Sequence, residues 1–308
     1  MIFAMTGLPD LKKIKIPTDK IENDLTGEKN IKLSILRLDK IHPEVSGNKF
    51  FKLYYYLQKA IQENKPIITF GGAYSNHLSA TATACKLAGI ECIGIVRGDK
   101  PTSLSSTLTF CIKQGMKLDF ISREKYRSLS AKDFDSVLLH NYGEHILIPE
   151  GGYGSNGVKG AELISQFYQE ENYNYICCPV GSGTTLAGII NSSDSMVRII
   201  GFSALKILDD FPERMNFLIN KNVKTNYHLN NNYHFSGYAR KSDLLINFMN
   251  KFYYDFNIPT DFVYTGKMMF GVFDLIEKNY FKRGSNLLCM HTGGLQGNKS
   301  LIAGTLNF

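Results

Sequence analysis

The chain has 308 residues, with 35 Lys and Arg against 28 Asp and Glu, and so carries a formal charge of +7 with histidines neutral. At 44% hydrophobic and 20% charged residues, with 27 Gly and only 9 Pro, the composition is that of an ordinary globular protein and excludes collagen-like, coiled-coil and wholly disordered chains. The positive charge is scattered, with no basic block longer than Lys12-Lys13, which favours small anionic ligands over a nucleic-acid track.

In chain order, short β-branched runs predict strands over 32–39, 66–70, 91–97 and 117–122, alternating with helical patterns near 48–63, 76–88 and 103–115. A second series follows, with strands at 146–149, 173–180, 197–203 and 286–291 and helices at 156–171 and 184–192. Strands joined by crossover helices define an α/β protein, and two series of similar size predict two doubly wound open sheets with the active cleft between them, at the carboxyl ends of the strands. The Asn-rich, aperiodic stretch 220–234 reads as a surface excursion. The six cysteines lack C-x-x-C spacing and read as small buried thiols. The first residues lack the basic start of a signal peptide, and no stretch approaches about 18 uninterrupted apolar residues, so a cytoplasmic protein is expected.

Four Gly-containing segments each follow a predicted strand: Ser46-Gly47-Asn48-Lys49, Gly71 to His77, Gly181-Ser182-Gly183-Thr184-Thr185 and His291-Thr292-Gly293-Gly294. The third leads into a helix and reads either as a plain turn or as an anion cup, where amide N–H groups converge under the positive end of the helix. The glycine after Gly183 is Gly188, so the dinucleotide fingerprint G-x-G-x-x-G fails, and no Walker segment occurs; a lone phosphate monoester is the better guest. Lys49 follows a flexible turn and precedes an amphipathic helix. Alone it would be an ordinary solvated first-turn lysine. Beside a phosphate cup, in a sequence without metal-ligand spacing, it reads as an amine able to form a Schiff base with an aldehyde cofactor, and pyridoxal phosphate supplies both aldehyde and phosphate.

The segments SGNKFFKL (46–53), GGAYSNHLSATA (71–82), PEGGYGSNGVKG (149–160), PVGSGTTLAG (179–188), VYTGKMMFG (263–271) and HTGG (291–294) together resemble the fold type II pyridoxal-phosphate enzymes. Within these, they are most similar to the branch of 1-aminocyclopropane-1-carboxylate deaminase and D-cysteine desulfhydrase. The resemblance implies a tryptophan synthase β-like architecture, with a larger cofactor-binding domain from residues 1–50 and 151–308 and a smaller α/β domain over 51–150. It implies that Lys49 carries the cofactor, that Asn48, Asn76, Tyr264, Thr265 and Thr292 help to hold it, and that Gly181, Ser182, Gly183, Thr184 and Thr185 bind its phosphate. Ser75 corresponds to the family's catalytic serine, which meets the substrate carboxylate and exchanges protons at the α-carbon; an N-cap is its structural role, and both can hold together. Tyr238 and Tyr264, 26 residues apart among 17 tyrosines, match two tyrosines that flank the substrate. Asn76 and His77 belong with the substrate-facing set, although His77, like His291, also reads as a packing histidine behind the site. No metal site is expected.

By the same resemblance Thr265 faces the cofactor's pyridine nitrogen, where the deaminases carry Glu, and Thr292 stands where they have an apolar residue. Both differences point to the desulfhydrase side: β-elimination from a small D-amino acid, with Lys49 or Ser75 moving the α-proton on opposite faces, and D-cysteine giving pyruvate, ammonia and sulfide. The cyclopropane-acid deaminase, a serine or threonine dehydratase or racemase, and a cofactor-binding sensor or store are the alternatives. A homodimer is the expected assembly.

Overall fold

The structure is a computed structural model, which describes residue 11 and residues 13–128, 131–206, 210–224 and 226–308. Among the described residues ten strands form in chain order: β1 (Thr18–Ile21), β2 (Lys32–Leu36), β3 (Ile67–Gly71), β4 (Cys92–Arg97), β5 (Lys117–Ile121), β6 (Ile146–Ile148), β7 (Tyr175–Val180), β8 (Arg198–Ser203), β9 (Asn226–Asn230) and β10 (Asn286–Met290). The helices that present candidate residues are α1 (Asn48–Glu63), α2 (Asn76–Ala88), α3 (Thr184–Ser192), α4 (Asp243–Phe256) and α5 (Thr265–Glu277). The chain divides into two compact units, one holding Lys52–Gly157 and the other Lys15–Phe51 with Val158–Phe308. Leu11, Lys13 and Ile14 group with the smaller unit, whereas the expected larger domain begins at residue 1.

The smaller unit is built on a four-stranded sheet in the order β5-β4-β3-β6, parallel throughout. All five residues of β3 are buried, as expected where helices cover both faces of a parallel sheet. Ile68, Phe70, Ile95 and Leu138 form its core cluster. Helix α2 leaves β3 through a short loop and spans the predicted 76–88: Ser75 caps its start and Gly89, at φ 67°, closes its end in the left-handed region.

The larger unit carries a six-stranded sheet in the order β1-β2-β10-β7-β8-β9. Among the described residues its β1–β2 pair is antiparallel and the other pairs are parallel. The six residues of β7 are all buried, and Cys177, Cys289, Ile200 and Phe202 meet Met268, Met269 and Val272 of α5 in the main core. The surface excursion expected over 220–234 is corrected in part. Residues 226–230 pair in parallel with β8 as an edge strand. Their side chains are mostly exposed, so the backbone ladder makes this strand while the sequence shows no apolar alternation. No helix among the described residues is long and apolar enough to cross a membrane.

Candidate active site

In the larger unit the Ser46–Lys49 turn is fixed by backbone before any side chain acts. Gly47 has φ +66°, and a Cβ on it would stand 2.0 Å from the carbonyl oxygen of Thr292, so only glycine fits. The Gly47 N–H donates to Leu38 O at 3.0 Å and the Asn48 N–H to Thr292 O at 3.2 Å. The Ser46 hydroxyl donates to Asp39 O at 3.0 Å. Below the turn, Arg37 grips the Asp39 carboxylate through Nε at 2.8 Å and Nη2 at 2.6 Å. His291 donates from Nε2 to Pro259 O at 2.7 Å, and its Nδ1 lies 3.2 Å from Asp39 Oδ1. Both of its ring nitrogens are therefore engaged within this unit.

Lys49 is the second residue of α1. Its Nζ donates to the side-chain oxygen of Asn48 at 3.1 Å, and the Asn48 amide in turn donates to Thr185 Oγ1 at 2.8 Å. Burial lowers the amine to about 8, against the opposing pull of Asp261, which favours the ammonium. A lysine in this state has a free base form near neutral pH, which an unshifted lysine lacks.

The Gly181–Thr185 segment lies at the other end of the Asn48 bridge. Gly183 is the N-cap of α3 at φ 84° and offers no side-chain cap, which leaves the first amides of a nine-residue helix for an outside acceptor. Ser182 and Thr184 place their hydroxyls 3.0 Å apart on the same turn. A Cβ on Gly181 would come 3.0 Å from the ring of Tyr264, so that ring lies directly on the cup. A set of amides and hydroxyls linked through one asparagine to a buried amine fits a small molecule carrying a phosphate at one end and an aldehyde at the other.

Tyr264 also meets Tyr238 edge to face, with centroids 6.2 Å apart. Tyr264 is half-buried, with its hydroxyl end against Gly181, and Tyr238 is 55% exposed. Thr265, the first residue of α5, is fully buried and its hydroxyl is already engaged. It donates to Asp261 Oδ1 at 2.7 Å and accepts from the Asp261 N–H at 2.8 Å. The Asp261 carboxylate also accepts the N–H groups of Val263, Tyr264 and Thr265 at 3.0, 2.9 and 2.9 Å, capping α5. The sequence reading missed Asp261. An Asp just ahead of a helix start is a cap signal, and that was the one clue available.

The smaller unit carries Ser75, Asn76 and His77. Ser75 Oγ accepts the Leu78 N–H at 3.2 Å, and its own N–H donates to Gly72 O at 3.0 Å. The Ser105 hydroxyl donates to Ala73 O and so pins the same loop. Asn76 opens α2. His77 is buried, with Nε2 2.8 Å from Thr69 Oγ1; that hydroxyl donates to Ile148 O, so the histidine is the donor in the pair.

A sequence profile of the pyridoxal-phosphate dependent enzymes matches residues 22–293, and the chain belongs to that family. It is accordingly a pyridoxal 5'-phosphate enzyme of fold type II. The chain is similar to the mitochondrial bifunctional D-cysteine desulfhydrase/1-aminocyclopropane-1-carboxylate deaminase of Arabidopsis thaliana, at 29% identity over 279 residues, covering 81% of this chain and 69% of that protein. To D-cysteine desulfhydrase of Salmonella typhi it is 24% identical over 268 residues, covering 80% and 82%. A crystal structure described as an ACC deaminase homologue superposes with a TM-score of 0.80 at 24% identity, over 96% of this chain and 95% of that one, a likeness that speaks for the fold.

Proposed function

We propose that the protein catalyses pyridoxal-phosphate-dependent β-elimination from a small D-amino acid, with D-cysteine as substrate and pyruvate, ammonia and sulfide as products. The carrying observation is the Lys49 amine, lowered to about 8 by burial and tied through Asn48 to the Thr184–Thr185 helix start. When bound, the cofactor supplies an aldehyde for an amine and a ring that accepts the electron pair of a breaking bond.

The chain's own residues do the rest. Ser182, Gly183, Thr184 and Thr185 hold the phosphate, Asn48 orients Lys49, and Tyr264 packs beside the cup. Lys49 Nζ or Ser75 Oγ takes the α-proton of the substrate. The carbon–sulfur bond then breaks, sulfide leaves with its electron pair, and water releases the remaining enamine as pyruvate and ammonia. Tyr238 and Tyr264 flank the amino acid, and Ser75 and Asn76 meet its carboxylate.

The choice of elimination over opening of the cyclopropane acid rests on Thr265. Its hydroxyl proton is committed to Asp261, so what it offers to the ring nitrogen is a neutral oxygen and not a carboxylate. That is the weaker polarising group and suits a substrate whose own thiolate carries charge away. The deaminase reading stays as the second, supported by the bifunctional plant relative. The same reading carries a homodimer in the cytoplasm.

A panel of D- and L-amino acids with 1-aminocyclopropane-1-carboxylate, assayed for oxo-acid release, tests this. Pyruvate from D-cysteine supports it; 2-oxobutanoate from the cyclopropane acid alone moves the protein to the deaminases, and release from L-amino acids alone overturns both.

A further inference from the structure

One buried cation takes no part in the chemistry above. Lys267, in the first turn of α5, is 1% exposed. Its ammonium donates to three main-chain carbonyls: Ala204 at 3.1 Å, His234 at 2.9 Å and Gly237 at 2.8 Å. An ammonium has three protons, and all three are used. Two of the acceptors belong to the loop that carries Tyr238.

That loop closes two turns of its own, Gly237 N–H to His234 O at 3.0 Å and Arg240 N–H to Gly237 O at 3.2 Å, on a backbone that is costly to hold. Phe235, Ser236, Gly237 and Ala239 all have positive φ, at 49°, 67°, 122° and 52°, and three of them are not glycine. Side-chain residues persist in that region only where the surroundings over-determine them. One face of α5 supplies those surroundings. Lys267, Phe270 and Asp274 share it by helical spacing. Phe270 receives the Phe235 ring edge to face at 5.0 Å, and Asp274 accepts the Tyr233 hydroxyl at 2.6 Å.

We propose that Lys267 is a positioning residue for the substrate side of the site: by gathering the carbonyls of His234 and Gly237 it latches the loop to α5 and so sets Tyr238 against Tyr264, facing the amino acid. The inference rests on the reading that Tyr238 flanks the substrate. The strap itself, Lys267 to the loop, stands apart from that reading.

Two measurements separate them. The chain has no Trp, so Tyr238→Trp places a single indole on the loop. Adding Lys267→Met should raise acrylamide quenching of that indole and lower its anisotropy, with α5 and the cofactor spectrum unchanged; an indole that behaves identically in both backgrounds overturns the strap, whatever the enzyme's substrate. In holoenzyme kinetics with D-cysteine, Lys267→Met should raise KM between about tenfold and about 10²-fold, more than it lowers kcat, the usual scale for a misplaced contact. In a Tyr238→Ala background the same change should add less than about twofold, because the residue through which Lys267 acts is gone. A full multiplicative loss there refutes action through Tyr238. Lys267→Arg, which keeps charge and donors, should recover part of the KM; Lys267→Gln, which lacks the charge and one of the three donors, replaces Lys267→Met in both measurements should the latter fail to fold. If D-cysteine is not consumed at all, the functional reading falls and the quenching result still decides the strap.

Discussion

Lys49, half-buried, and Lys267, fully buried, are two lysines of the larger unit that share an electrostatic setting and differ in their hydrogen bonds. Burial lowers each amine to about 8, and for each the opposing pull comes from the same carboxylate, Asp261. Lys267 spends its three protons on three carbonyls. Lys49, among the described residues, has one partner, the Asn48 amide oxygen. A shifted pKa alone therefore does not mark a reacting amine. What marks it is the shift together with an unfilled donor set: a saturated ammonium is part of the frame, and an under-bonded one is available to a carbonyl carbon.

The largest test of that contrast is covalent. Lys49→Ala should reduce oxo-acid release by about 10⁴-fold, the upper range for loss of a positioned base, and should remove the pyridoxyl group that borohydride otherwise fixes to the peptide holding residue 49. Finding that group on the peptide holding Lys267 would reverse the two roles. Next in size are the backbones that present the lysines' partners. Gly47→Ala adds a Cβ 2.0 Å from a carbonyl oxygen in a left-handed turn, and should cost about 3 kcal/mol in the urea midpoint. Gly237→Ala, at φ +122° with nothing within 4 Å, carries conformational strain alone and should cost less, about 2 kcal/mol. Equal losses would mean that contact with Thr292 contributes nothing to the Lys49 turn.

The two lysines also show what a sequence displays and what it conceals. Lys49 sits in SGNK, between a glycine and the start of an amphipathic helix, where local pattern exposes it. The limits of α2 and the start of α3 were readable for the same reason, since Ser75, Gly89 and Gly183 punctuate the chain there. Lys267 sits in YTGKMMFG, where a lysine among apolar residues reads as a solvated helix position. Its burial comes from Ala204, His234 and Gly237, 63, 33 and 30 residues away. Asp261 is concealed similarly: its four-residue spacing to Thr265 is local, but its influence on both amines is tertiary. The edge strand β9 escaped notice because an exposed strand paired on one side needs no apolar alternation.

Stability against pH distinguishes the lysines further. Below pH 8 the folded and unfolded states of the apoprotein both carry these protons, and the cost of burying them is complete. Between about 8 and the ordinary 10.5 the folded state has released a proton that the unfolded state keeps, so stability rises with pH, by at most about 1.4 kcal/mol per unit for each lysine. Either lysine changed to Met should remove its share of that slope in urea titrations from pH 7 to 10. At pH 7 the two changes should differ in sign. Lys49→Met removes a poorly bonded buried charge and should stabilise the apoprotein. Lys267→Met leaves the Ala204 carbonyl without its donor and takes one of two donors from the His234 and Gly237 carbonyls, and should cost about 2 kcal/mol. Two changes of the same sign would leave the saturation argument without force.

The smallest expected effect isolates the bond that orients the Asn48 acceptor of Lys49. Because the Asn48 amide nitrogen donates to Thr185 Oγ1, its oxygen is turned toward Lys49 Nζ. Thr185→Val removes that acceptor while keeping the shape of the side chain. The Asn48 amide is then free to turn, and the ammonium loses a partner worth about 1 kcal/mol. Since the lost partner favoured the charged form, the Lys49 midpoint should fall further, by less than about one unit. It can be read on the apoprotein from the pH dependence of amine labelling at the peptide holding residue 49. Labelling at Lys267 should not move, and Thr185→Ser should restore the Lys49 midpoint. A rise at Lys49, or a parallel shift at both lysines, would show that Thr185 acts through the field of the whole unit and not through Asn48.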